Sequence, residues 1–342
     1  DLYGTAAALS LDVDAAAPAD PGIIAARLWE ASLGPVPAPV HLNVQFAEPL
    51  VPVGGTLPDV TPTVPDPRLP VREPPDITEL GRFAAERRGL LVCGPQDDPA
   101  LPAAAAAAAE ALQWPILADP LSGLRAGPHD RRRVICSGDL LAGAGWLERA
   151  SPEVVIRVGA LPTSKPTWTW LDDNPDVPLA VIDPVGWADP FARVTYPVRA
   201  TPAAALRALA DASPDPAPAA WLTAWTTADA AVRDAAATTL AGFDFPTEPA
   251  VAATVARALP NAAILWAASS MPVRDVDLTF GCVDQLQAVS ALGGDARPNL
   301  VFLARVDQDH FRAQVGREAG ERLGDVPRAE DVELPLGPRE AL

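Results

Sequence analysis

Two short segments concentrate the residues that could do chemistry. The first is Arg157-Val158-Gly159-Ala160-Leu161-Pro162-Thr163-Ser164-Lys165, which carries the only lysine of the chain. The other basic residues, out of 26 lysines and arginines together, are all arginine. Such a bias replaces lysine wherever charge alone suffices. A lysine that survives it is expected where a compact ammonium is needed, because a planar guanidinium cannot take its place. Chance survival is the plain alternative. The second segment, Ala268-Ser269-Ser270-Met271-Pro272-Val273-Arg274-Asp275-Val276-Asp277, spaces a hydroxyl and a guanidinium so that both can reach one carboxylate. Ser270 would donate one hydrogen bond and Arg274 two. The plainer reading pairs Arg274 with Asp275 or Asp277 in a structural loop. Both segments directly follow apolar runs that read as buried strands, 154–158 and 262–266. In open α/β sheets, ligands bind beyond the carboxyl ends of strands.

Other motifs fail on spacing. A dinucleotide site needs G-x-G-x-x-G at the first strand-to-helix turn, but the run ending at Cys93 is followed by Gly94-Pro95-Gln96-Asp97-Asp98-Pro99. Gly143-Ala144-Gly145 follows a helix rather than a strand. No glycine stands immediately before Lys165, so a phosphate-cradling P-loop is excluded. His41, His129 and His310 lack ligand spacing, and no G-x-S-x-G elbow is present. Cys93, Cys136 and Cys282 are too few and too scattered for a disulfide scaffold or a zinc site, and a reducing cytoplasm is the expected compartment. Asp172-Asp173 and Asp97-Asp98 read as helix-end or solvated carboxylates.

The elements that must position the two segments follow from periodicity. Residues 90–93, 115–118, 134–136, 154–158 and 179–182 are short β-rich runs. Helical segments lie between them, the clearest over 99–113 behind Asp97 and Asp98. Short buried strands alternating with helices imply parallel pairing, so the expected fold is α/β with a central, doubly wound Rossmann-like domain. Before it lie a helix over 23–33, a strand over 39–46, a proline-dense linker over 49–75 and a short helix over 76–85. After it, residues 203–258 read as alanine-rich helix, interrupted at 213–216 and 243–249. A strand over 299–303 and a polar, charged tail from Arg312 are expected beyond.

The chain has 342 residues, 49% hydrophobic and 20% charged, as a folded protein does. Its 44 acidic residues against 26 basic give a net charge of -18. That is the wrong sign for a nucleic-acid binder, which needs a basic face to displace counterions. No run of about 18–20 apolar residues predicts a membrane span, and residues 1–4 carry no signal-peptide pattern. The only methionine is Met271, so Asp1 is not expected to be a natural start.

Four stretches, in order from Pro39 to Asp277, carry a family resemblance. Segment 268–277 resembles the S-M-P-V-R-D phrase of the 2-succinyl-5-enolpyruvyl-6-hydroxy-3-cyclohexene-1-carboxylate synthases (MenD), thiamine-diphosphate enzymes of menaquinone biosynthesis. Pro39-Val40-His41-Leu42-Asn43-Val44 with Glu48-Pro49-Leu50 is similar to the end of that family's first domain, with Gln45 in place of a common proline. Ala118-Asp119-Pro120-Leu121-Ser122-Gly123-Leu124-Arg125 and segment 159–165 are similar to its central domain.

The resemblance implies a pyrimidine-binding, a central Rossmann-like and a diphosphate-binding domain. On it, residues 1–50 would end the first, 51–85 form a linker, 86–212 make the central domain, and 213–342 begin an incomplete third. It also implies the cofactors thiamine diphosphate and Mg2+. The implied chemistry is attack of the thiazolium carbanion on 2-oxoglutarate, loss of carbon dioxide, and conjugate addition of the succinyl unit to isochorismate. Ser270, Arg274 and Lys165 match substrate-contacting positions; Pro166 stands where some members carry a second basic residue. A cytoplasmic homodimer or homotetramer is implied as well.

The departures are large. Nothing resembles the bulk of the first domain, including the glutamate that would activate the aminopyrimidine. The asparagine–arginine–glycine segment expected after Asp277 is absent. Gly294-Asp295 meets Asn299 too soon for the motif that holds magnesium and diphosphate. These residues are therefore expected to be inactive alone. The competing reading is a non-catalytic Rossmann-like module for a small anionic ligand.

Overall fold

A computed structural model describes residues 6–15, 21–33, 38–48, 50, 76–184, 189–212, 214–259, 263–279, 281, 286–292 and 308–324. The chain divides into two compact units, 1–73 and 74–342.

In the first unit, β1 (Leu9–Asp14), α1 (Pro21–Ser32) and β2 (Val40–Gln45) form one β-α-β step. Its two strands pair in parallel, with Leu9 opposite Val40 and Asp14 opposite Gln45. The helix and second strand match the expected ones; β1 was not expected.

The second unit begins with α2 (Thr78–Ala84), β3 (Gly89–Cys93), α3 (Leu101–Leu112), β4 (Ile116–Ala118) and β5 (Val134–Ile135). It continues through α4 (Gly138–Gly143), α5 (Trp146–Ala150), β6 (Val154–Val158), α6 (Lys165–Asp173), β7 (Leu179–Ile182), β8 (Tyr196–Val198) and α7 (Pro202–Asp211). The six strands make one parallel sheet in the order β5-β4-β3-β6-β7-β8. That is the doubly wound order, with its switch point between β3 and β6. Every residue of β3, β4, β6 and β7 is buried, which explains their near-continuous apolar composition: a parallel sheet covered on both faces leaves no polar side to alternate with. The helices pack in two groups, α3 with α7, and α4 with α5 and α6.

Backbone approach at Gly89 helps fix the core. A Cβ there would stand 2.0 Å from Cζ2 of Trp114. The Trp114 indole donates to the carbonyl of Arg87 at 2.8 Å, and the Trp221 indole donates to the carbonyl of Gly89 at the same distance. Two large apolar side chains are thus buried without stranding their polar ends.

Beyond the sheet come α8 (Ala219–Ala241), α9 (Glu248–Ala258), β9 (Ala263–Ala268), α10 (Met271–Thr279), β10 (Leu286–Leu292) and α11 (Gln308–Gly324). β9 and β10 pair in parallel on either side of α10, a second β-α-β step. One expectation is corrected here. The segment from Arg312 does not begin an irregular polar tail: α11 continues to Gly324, burying Val315, Ala319 and Leu323, and it packs on α8. Three apolar residues at i, i+4 and i+8 suffice for one buried stripe on an otherwise charged helix. Strand β8 lies at the sheet edge, where Pro197 is tolerated despite its missing donor. The strand expected over 299–303 falls outside the described residues. Of the cysteines described, Cys93 is buried and free, and Cys136 is disulfide-bonded. No described helix is long and apolar enough to cross a membrane.

Candidate functional site

Lys165 opens α6. The helix is capped by Ser164, whose hydroxyl accepts the amide of Thr167 at 3.3 Å, and Pro166 follows inside the first turn. Proline in that turn loses only an amide that would be an orphan anyway. A cation here faces the positive end of the helix dipole, a placement that helix stability disfavours. The Lys165 side chain is exposed, and no ion pair engages it among the described residues.

Ser270 occupies the tight turn between β9 and α10 with φ +135°, a backbone region that a non-glycine residue adopts only at a cost. Arg274 is not in a loop: it lies in α10, one turn from its start, and its side chain is exposed. Among the described residues no ion pair joins it to Asp275 or Asp277, both of which are buried.

Asp277 is instead bound to a residue that sequence reasoning treated only as part of a motif. Arg125, 2% exposed, donates from Nε to the carbonyl of Ala118 at 2.7 Å and from one terminal nitrogen to the carbonyl of Asp277 at 3.1 Å. Its other terminal nitrogen forms an ion pair with the Asp277 carboxylate. A planar fork can hold three such acceptors at once; an ammonium cannot.

Asp119, one residue after β4, extends the network. Its amide donates to the carbonyl of Cys93 at the end of β3, at 2.9 Å. Its carboxylate accepts the amides of Leu121, at 2.8 Å, and of Thr163. The Asp119–Arg125 turn is stiffened further by Ser122, which donates to the Asp119 carbonyl at 2.6 Å, and by Gln96, which donates to the Ser122 carbonyl. The three segments that carried the central part of the resemblance, 118–125, 159–165 and 268–277, are therefore tied into one frame. Asp119 joins the first to the second and Arg125 joins the first to the third. Asp119, Arg125, Asp139, Ser164, Thr167 and Asp277 all line one cavity of about 10 Å³, so the junction is closely packed.

Electrostatics follow from that burial. Burial pushes the Asp277 carboxyl up to about 7; Arg125 opposes the shift, and Asp139 and Asp119 add to it. Burial likewise raises Asp119, against the lowering effect of the amides of Thr163 and Leu121 and of Arg125. On the neighbouring strand, burial lowers the Arg157 guanidinium, which donates to the carbonyl of Gly159 at 3.1 Å.

The crevice where a doubly wound sheet would hold a dinucleotide is closed. Gly94 donates to the carbonyl of Val158 at 3.0 Å, and Ala160 donates to the carbonyl of Pro95 at 2.9 Å. A Cβ at Gly94 would meet the Ala160 oxygen at 1.9 Å, and Gly159 sits at φ +75° with the Gly94 oxygen 2.8 Å from its would-be Cβ. Backbone fills the place a pyrophosphate would take. No group of three or more His, Cys, Asp or Glu among the described residues could hold a metal ion. The described residues do not fit thiamine diphosphate or Mg2+. A cavity of about 450 Å³ between α8, α9 and the end of α10 is lined by Arg233, Leu240, Arg257 and Leu278, among others. Lys165, Ser270 and Arg274 are not among its lining residues.

Comparison with known proteins agrees with the ordered motifs. No protein-family model matches the chain. A 2-succinyl-5-enolpyruvyl-6-hydroxy-3-cyclohexene-1-carboxylate synthase of Geobacillus thermodenitrificans is 35% identical over 312 residues, covering 86% of this chain and 52% of the relative. The same-named protein of Chloroflexus aurantiacus is 36% identical over 278 residues, 78% of this chain and 47% of the relative. An X-ray structure of a proposed thiamin diphosphate-dependent enzyme isolated from Mycobacterium smegmatis superposes with a TM-score of 0.50 at 16% identity. It covers 96% of this chain and 59% of that one, a likeness of fold alone. The chain spans about half the length of the curated relatives it matches. By sequence, over most of its own length, it is similar to the 2-succinyl-5-enolpyruvyl-6-hydroxy-3-cyclohexene-1-carboxylate synthases.

Proposed function

We propose that these residues form the substrate-carboxylate side of a thiamine-diphosphate-dependent synthase of menaquinone biosynthesis. In this reading the enzyme decarboxylates 2-oxoglutarate and adds the succinyl unit to isochorismate, giving 2-succinyl-5-enolpyruvyl-6-hydroxy-3-cyclohexene-1-carboxylate. What supports it most is the bonding of three family-like segments into one frame through Asp119 and Arg125, beside about 35% identity to synthases of that name. Thiamine diphosphate with Mg2+ would supply the carbanion chemistry when bound, and would have to be held by residues other than those described.

The role of this chain's own residues is charge recognition. Both substrates are dianions, and on a chain of net charge -18 they need a local cationic site. Arg274 presents an exposed fork for a bidentate contact, Ser270 a hydroxyl beside it in sequence, and Lys165 a point charge at the start of α6. Each charge-assisted hydrogen bond to a desolvated carboxylate contributes about 1.5–3 kcal/mol. The enzyme would act as a cytoplasmic homodimer or homotetramer, its central domain taken as residues 86–212.

The test is turnover by the complete polypeptide given thiamine diphosphate, Mg2+, 2-oxoglutarate and isochorismate. Carbon dioxide release together with loss of isochorismate is expected. A folded, cofactor-loaded protein that releases none would overturn the reading. Calorimetric titration of residues 1–342 alone with cofactor and Mg2+ is expected to give no measurable heat of binding. Micromolar binding there would overturn the placement of the cofactor outside these residues.

A further inference from the structure

We propose that Arg125 is a positioning residue, a buried clasp that sets α10, and with it Arg274 and the Ser270 turn, in register with the loop that carries Lys165. The proposal rests on the reading that these three side chains face substrate. It adds a residue that touches no substrate and acts only through its acceptors.

The geometry is a continuous chain of hydrogen bonds. Arg125 holds both the backbone and the carboxylate of Asp277. Asp277 stands three residues after Arg274 on the same helix, so the two side chains leave neighbouring turns and share one rigid body. On its other side Arg125 holds the carbonyl of Ala118, whose neighbour Asp119 holds the amide of Thr163. Thr163 precedes the Ser164 cap, and Lys165 follows as the first residue of α6. Every link except the Thr163 amide lies in buried residues. A register error in α10 would therefore reach Arg274 directly, while the β6-to-α6 loop stayed fixed by Asp119.

A buried arginine with three acceptors is also a structural element, so the test must separate the two roles. In the complete enzyme, Arg125→Lys keeps the charge but cannot span all three acceptors. Asp277→Asn keeps an acceptor oxygen and removes the ion pair. Both are compared with Arg274→Ala. If Arg125 positions Arg274, Arg125→Lys raises KM for isochorismate by about 10-fold, with kcat and the KM for 2-oxoglutarate changed by less than about 2-fold. Asp277→Asn gives a smaller rise in the same constant. Should Arg125→Lys fail to fold, the Asp277→Asn constants decide the question alone. Lower melting temperatures with both KM values unchanged, while Arg274→Ala raises the isochorismate KM, would overturn the positioning role and leave the site reading standing. An isochorismate KM unmoved by Arg274→Ala would overturn the site reading, and the clasp with it.

Discussion

The carboxylate of Asp119 accepts the backbone amide of Thr163, 44 residues further along the chain. This bond links the turn after β4 to the loop after β6 across the strand between them, because β3 separates β4 from β6 in the sheet. Asp119 also accepts the amide of Leu121, so one side chain serves two part-buried backbone donors.

Removing that acceptor has a defined cost. Asp119→Ala removes the acceptor of both donors; a fully buried donor left unsatisfied costs roughly 1–3 kcal/mol, and these two, being part-buried, should cost toward the lower end of that range each. Asp119→Asn retains an oxygen and should lose less. Urea unfolding of the two variants should rank wild type above Asn and Asn above Ala. Equal stability of Ala and wild type would show that the bond contributes nothing.

Arg274→Ala in the complete enzyme should lower catalytic efficiency by on the order of 100-fold or more, chiefly with isochorismate. Arg274→Lys should recover only part of this, since an ammonium cannot make the planar bidentate contact. Lys165→Gln should cost less than Arg274→Ala. Because Arg274 and Lys165 are exposed and engage no ion pair among the described residues, the melting temperatures of these variants should stay near wild type. Large losses of melting temperature with normal kinetics in the folded fraction would assign Arg274 a structural role instead.

Asp277 makes stability depend on pH with a definite sign. Its folded-state value is raised by burial to about 7 from an ordinary 3.8. Between these values the folded protein holds a proton that the unfolded chain has released. Stability from this group therefore falls as pH rises from 3.8 toward about 7 and levels off above, by at most about 1.4 kcal/mol per pH unit. Asp277→Asn removes this dependence. From about pH 5.5 to about pH 8, wild type should lose stability relative to the Asn variant, read from urea midpoints at each pH. A gap that is constant, or that moves the other way, would contradict the raised value.

The central sheet should depend on helices at both of its ends in sequence. Residues 86–212 contain all six strands of the central sheet, with Gly89 as the first strand residue and Val198 as the last, and are expected to melt cooperatively alone. Leu80 and Ala84 of α2, and Trp221 and Trp225 of α8, lie in the same buried cluster as the strands. A fragment over 76–241 should therefore melt higher than one over 86–212. Equal melting temperatures would mean these helices add nothing to the core, and a featureless melt of the shorter piece would remove its boundary.

The α/β class and five of the six central strands were legible in the sequence because a parallel sheet buried on both faces leaves unbroken apolar runs between helical segments. β8 escaped notice because an edge strand of three residues containing Pro197 carries no such run. β1 alternates half-buried and exposed residues, a legible strand period, but it is short and was not among the expected strands. Lys165, Ser270 and Arg274 stood out by rarity, by spacing and by their place after strands, all local properties. What only the tertiary structure decided is the partner of Asp277. Arg274 is three residues away in sequence, but Arg125, 152 residues distant, makes the bond. Sequence proximity sets which groups can meet within one helix turn. Which buried charges do meet is decided by the packing that removes them from water, where an unpaired charge is too costly to leave.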